Sequence, residues 1–183
     1  MATATTPETR TAWKIDPSHT TVEFSAKHMM ITTVRGRIAD VEGTIYTDEK
    51  NPSNSSVEAV LKAASLDTRT EQRDQHLKSA DFLDVEKFPD ITFRSKRIEG
   101  PRERFKLIGD LTIHGVTKEI TLDVTFEGEG KDPWGGERAG FTATGKIDRR
   151  DFGLTWNQAL EAGGVLVSNE IKISVEVQAT KQA

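Results

Sequence analysis

Four histidines, His19, His28, His76 and His114, are the side chains best suited to acid–base or metal chemistry. No two are spaced i, i+2 along a strand or i, i+4 along a helix. A metal site would need several of them to converge from distant segments, and none is expected. His28 ends an alternating run in phase with Val22, Phe24 and Ala26. It reads either as a polar contact at one end of a pocket or as an imidazole satisfied by nearby backbone. In an enzyme it would be the acid and base acting on a hydrophobic substrate. Met29 and Met30 follow, flexible thioethers that suit an adaptable cavity entrance or ordinary core packing. Asp148-Arg149-Arg150-Asp151 is a dense charge cluster. Its arginines could clamp a phosphate, or the four charges could pair among themselves and fix a strand end. His114 before Gly115 reads as a hairpin residue, and His76 falls in a polar helical stretch.

Other chemistries are excluded by what is missing. The 183 residues contain no cysteine, so there is no disulfide, thiolate metal site or cysteine nucleophile. There is no Gly-x-Ser-x-Gly elbow, phosphate loop or dinucleotide fingerprint, and so no cofactor is called for. A net charge of −4 argues against a sequence-independent nucleic-acid binder. No apolar run reaches membrane-spanning length. The first twelve residues lack the apolar stretch of a secretory signal. We expect residues 1–12 to be a flexible tail, residues 13–180 a single domain, and the location cytoplasmic.

The elements that must position these residues are strands. Period-two alternation runs through Thr20 to His28, Val34 to Ile45 (with a phase slip at Ala39-Asp40), Val57 to Ala63, Ile91 to Lys96, Phe105 to Ile113, Ile120 to Glu127, Phe141 to Ile147 and Ile171 to Val177. Eight strands with one wet and one dry face suggest an antiparallel sandwich or closed barrel. Glycines at 36, 43, 109 and 145 favour the barrel, since glycine permits the sharp coiling that closure needs. Thr68-Arg69-Thr70-Glu71 matches a capping box and predicts a two-turn helix over Glu71 to Lys78. The apolar Phe82, Leu83, Val85 and Phe88 after it could cover a barrel end. An eight-stranded barrel either fills itself or holds one slender ligand. The small inward positions Ala26, Gly43, Ala59, Ala63, Gly109, Ala143 and Gly145 favour the hollow alternative. Trp134, flanked by Asp132-Pro133 and Gly135-Gly136, reads as a loop tryptophan suited to a partner surface. That role would go with a filled barrel acting as an interaction module.

Four blocks carry a family resemblance: WKIDPSHTTVEFSAKHMMITTVRGRI, SLDTRTEQRDQHLKSADFLDVEKFPDITFRS, GDLTIHGVTKEITLDV and DRRDFGLTWNQALEAGGVLVSNEIKISVEV. In this order they resemble the YceI-like, polyisoprenoid-binding family over Trp13 to about Thr180. The resemblance implies an all-β fold, an eight-stranded antiparallel lipocalin-like barrel with a short helical insertion. It also implies a non-catalytic role in binding, carrying or storing a polyisoprenoid or other long apolar lipid such as a quinone. A homodimer and a part in stress protection are further implications. Strand phase nominates Phe24, His28, Met30, Ile45, Leu61, Phe93, Leu107, Leu122, Phe141 and Trp156 as pocket residues, with Phe82 from the helical insertion.

Overall fold

The computed structural model describes residues 10–161 and 163–183. Among the described residues there are eleven strands: β1 Thr11–Ile15, β2 Thr21–His28, β3 Thr32–Ile38, β4 Val41–Thr47, β5 Ser56–Lys62, β6 Leu66–Asp67, β7 Asp90–Glu99, β8 Arg104–Ile113, β9 Val116–Lys131, β10 Glu137–Asp148 and β11 Glu170–Lys181. The α-helix, α1, spans Glu71–Lys78. Most of the expected tail lies outside the described residues. Thr11 and Ala12 are a correction to it, because both belong to β1, where they pair with Thr47 and Tyr46.

The strands merge into eight staves of a closed antiparallel barrel. The ring runs β1-β4-β5-β7-β8-β9-β10-β11 and closes through β1 against β11. β2, β3 and β6 prolong the staves of β1, β4 and β5, pairing in the order β11-β2-β3-β6. The phase slip at Ala39-Asp40 is the break between β3 and β4. The neighbouring stave breaks beside it at Ala63–Ser65, and the two breaks are joined: Ala39 donates to the Ser65 carbonyl and Asp40 to its hydroxyl. The first stave breaks at the same level, between Ile15 and Thr21. Above these breaks β6 has no bond to β7, and residues 68–89 fill the interval with α1 and the buried Phe82 and Leu83.

Glycine serves two close approaches. A side chain at Gly36 would collide with the Phe24 ring of its strand partner. At Gly109 a Cβ would lie 2.6 Å from the Phe93 ring. These aromatic rings rest on bare backbone, which lets the staves curl around them. Among the described residues no helix is long and apolar enough to cross a membrane.

Helix α1 has the expected bounds but another start. Its N-cap, Thr70, makes no side-chain cap bond. Asp74 instead accepts from the backbone and hydroxyl of Thr68, while Arg73 donates to the Thr68 hydroxyl and carbonyl. The Thr68 to Glu71 capping box is therefore corrected. Two stronger partners in the next turn take the buried Thr68.

Carboxylates tie the turns to the barrel. Asp16 accepts from Ser18, His19 and Arg138, and Arg138 also donates to Asp132. The Ser18 hydroxyl, His19 and Arg138 hold the Asp16 carboxyl well below the usual range. The Gly136 amide and Arg138 lower Asp132, and Arg150 lowers Asp148 to about 2. Depressed carboxylates stabilise the fold fully above the unfolded value near 4 and lose that contribution as pH falls through the folded values. Unfolding free energy is thus expected to fall between about pH 4 and pH 2. Urea titrations across this range measure it, and a stability unchanged down to pH 2 would contradict these assignments.

Candidate functional site

A cavity of about 790 Å³ runs the length of the barrel. Its middle is walled by Leu107, Leu122, Val124 and Ala143, with Phe93, Phe105 and Phe141 packed against them. Toward the end where β1 starts and β11 finishes, the wall is Trp13, Ile45, Phe126 and Ala139. The Trp13 indole donates to the Thr47 hydroxyl at 2.9 Å, so its polar atom is satisfied and its ring faces the interior. Charged residues ring this mouth: Asp48, Glu49, Arg102 and Glu129. Arg102 lies over the Phe126 ring, 4.9 Å from its centre.

The helix end is closed by aromatic contacts. The rings of His76, Phe82 and Trp156 meet with centroids 4.7–5.2 Å apart, and His76 bonds Asp81 at 2.9 Å. Trp156 reaches this place on the segment between Phe152 and β11, which Arg149 holds down. Arg149 is 3% exposed. Its guanidinium donates to the carbonyls of Leu154, Trp156 and Ser168 at 2.6–2.9 Å, and at 3.4 Å to that of Val167. Burial pushes its pKa down, but an arginine stays charged at any pH the folded chain meets. Asp148 pairs with Arg150 at 2.6 Å on the surface. The charge cluster is thus divided. One arginine closes a local ion pair, and the other is an internal staple for the segment that covers the tunnel.

Ten of the eleven nominated residues line this cavity: Phe24, His28, Ile45, Leu61, Phe82, Phe93, Leu107, Leu122, Phe141 and Trp156. Met30 does not. It is 65% exposed, at the tip of the β2–β3 turn, and packs on Gly164. The strand phase that put His28 inward ends there, because Met29 and Met30 both have positive φ. The source of the empty space is also corrected. Ala26, Ala59 and Ala143 line the cavity, but Phe93 occupies the room at Gly109 and Leu122 that at Gly145, while Gly43 lies against the backbone of Glu58. Ala63 is buried in a turn outside the tunnel.

Trp13, His76 and Arg149 are among the wall residues that escaped the strand-phase reading. Trp13 sits in a five-residue strand beside the tail, although the alternation of Trp13 and Ile15 around Lys14 was a usable signal. His76 lies on a helix with no apolar face, and of its aromatic partners Phe82 follows in the next loop while Trp156 comes from a distant segment. Arg149 is buried by residues that follow it, and no local pattern announces that.

A family model for the YceI-like domain matches residues 13–179. The chain belongs to the YceI-like family. Protein YceI of Salmonella newport is 39% identical over 172 residues, covering 93% of this chain and 87% of its own. The crystal structure of the Campylobacter jejuni YceI protein is 34% identical and superposes with a TM-score of 0.74, over 86% of this chain and 90% of that one. A polyisoprenoid-binding domain from Saccharophagus degradans, at 12% identity, shares the fold with a TM-score of 0.65, over 93% of this chain and 98% of that one. This YceI-like barrel is therefore an eight-staved closed cylinder with an apolar bore, and its helical segment lies at one end.

Proposed function

We propose that the protein binds one long, apolar chain, a polyisoprenoid or an isoprenoid-tailed quinone, inside the barrel without covalent chemistry. The observation that carries this reading is the continuous 790 Å³ cavity with hydrocarbon walls along its middle. Its shape suits a thread. Twelve residues of β10, rising about 3.4 Å each and tilted by about 40°, give a bore of about 30 Å. Three extended backbone bonds span about 3.5 Å, so a four-bond isoprene repeat takes about 4.5 Å, and about six repeats fill the bore. Each five-carbon unit gains about 3–4 kcal/mol on leaving water, before ordering costs. Affinity needs no hydrogen bond along the walls, and polar groups matter only at the mouths. The name of the Saccharophagus domain supports the same ligand class. His28 as an acid–base residue is less well supported. The carboxylates of the cavity wall gather mostly at the opposite mouth, at Asp48, Glu49 and Glu129.

Native mass spectrometry after incubation with polyprenyl alcohols of graded length tests the proposal. One chain per barrel is expected, with retention rising with length up to about six repeats and levelling off beyond. A barrel that stays empty with every length offered would overturn it.

A further inference from the structure

The β2–β3 turn is unusual in two independent respects. Ile31 donates to the His28 carbonyl at 3.0 Å across a turn whose central residues, Met29 and Met30, have φ of 51° and 62°. Such turns favour Asn-Gly, because side chains in the left-handed region are strained. The turn is also apolar and open to solvent, with Met29, Met30 and Ile31 exposed by 43%, 65% and 74%. Neither the strain nor the exposure serves the barrel core.

A row of cations lies beside it on the outer face. Register places Lys146 opposite Lys172, Lys172 opposite Ser25, and Ser25 opposite Arg35. Lys27 shares the outward phase of Ser25, one step nearer the tip. Among the described residues none of these four cations has an ion-pair partner, whereas nearby Arg37 faces Asp67 and Arg150 holds Asp148. The adjacent acids Glu23 and Glu170 are also without an ion pair among the described residues, and the four cations outnumber them. Two lysines directly opposed on neighbouring strands repel each other, and a chain of net charge −4 keeps them together here.

We propose that this turn is a docking finger for an anionic lipid surface. Met29, Met30 and Ile31 enter the headgroup boundary, and Lys27, Arg35, Lys146 and Lys172 meet the lipid charges. The charge of the row selects this occupant over a neutral apolar partner. The finger is joined to the tunnel wall: Met29 donates to the Leu166 carbonyl, and His28 bridges Val167, with both loop residues lining the cavity. Docking therefore brings the helix end of the tunnel, covered by the Trp156 segment, against the bilayer, so that a hydrocarbon guest passing when that segment lifts need not cross open water. The purpose of the finger rests on the tunnel reading, but its existence does not.

Co-sedimentation of the full chain with vesicles of equal parts phosphatidylglycerol and phosphatidylcholine tests this, with pure phosphatidylcholine as reference. Binding to the anionic vesicles is expected, and it weakens with added salt. Met29→Asn with Met30→Gly supplies the pair that the turn prefers, so it folds at least as well, yet should lose vesicle binding at least tenfold. Lys172→Gln should lose about fivefold, corresponding to about 1 kcal/mol per surface cation. Polyprenyl uptake from detergent, measured on the same variants, should not change. Equal binding of the double variant and the parent would overturn the proposal. So would equal binding to neutral and anionic vesicles, or self-association through the turn that the double variant abolishes while no vesicle is bound. Vesicle binding that depends on the turn, in a barrel that takes up no polyprenyl chain, would uphold the finger and remove the tunnel reading instead.

Discussion

Ala143→Phe is expected to abolish high-affinity binding of long polyprenyl chains while leaving the barrel as stable as before, or more so. Ala143 lies on β10 between Val124 and Val175 on the neighbouring strands, in the middle of the bore, where Leu107 and Leu122 also line it. A ring there occupies a length that a guest must thread. Denying the guest one isoprene unit removes about 3 kcal/mol of transfer energy, which corresponds to about a hundredfold in affinity. A short prenyl alcohol that fits on one side of the obstruction loses far less, so the penalty grows with chain length. Because the added ring fills empty apolar space rather than displacing packed atoms, the melting temperature holds or rises. Titration with a fluorescent prenyl series, alongside thermal unfolding, separates these effects. Unaltered affinity for long chains would show that the guest does not pass Ala143.

Arg149→Met should have the largest effect on stability. The replacement matches the apolar stem and removes the guanidinium, leaving the carbonyls of Leu154, Trp156 and Ser168 without their donors. The Val167 carbonyl keeps a second donor, the Asn157 amide at 2.8 Å. Each orphaned carbonyl costs about 1–3 kcal/mol if it stays buried. A loss of about 3–5 kcal/mol of unfolding free energy follows unless the segment lifts into water. Lifting would carry Trp156 away from His76 and Phe82 and open the helix end. Urea unfolding gives the first outcome, and quenching of tryptophan fluorescence by iodide reveals the second. A variant with neither change would mean that the carbonyls find other donors and that Arg149 is not the staple.

The staves were legible in the sequence because each has one wet and one dry face, and period two records that directly. Even the break between β3 and β4 appeared, as a phase slip at Ala39-Asp40. The same phase placed Phe24 and His28 inward, and it failed one turn later at Met30, where two left-handed residues end the alternation. Hollowness was legible only in part. Counting small inward residues assumed that a glycine leaves a hole, whereas side chains of neighbouring strands lie down on such glycines, Phe93 on Gly109 and Leu122 on Gly145. Alanines such as Ala59 and Ala143 do line the bore, and the large side chains beside them turn onto glycine, as Phe93 does on Gly109. The helix end was hardest to foresee. Its closure depends on His76, Phe82, Trp156 and Arg149, drawn from three separate stretches, and tertiary contacts of that kind leave no periodic trace.

The closing of the ring has a kinetic consequence. Apart from the ladders that β1 and β2 make with β11, each ladder in the cylinder joins staves that follow one another along the chain, so hairpins can zip in succession with modest loops to close. Trp13, Lys14 and Ile15 must instead find Lys181, Thr180 and Ala179, and Thr21 to Ser25 must find Glu176 to Lys172, strands far apart along the chain. That suture bears the greatest entropic burden of any in the ring, which makes it the expected last step. A nascent chain leaving the ribosome therefore waits as an unsealed sheet until β11 emerges, with its oily face turned to whatever is near.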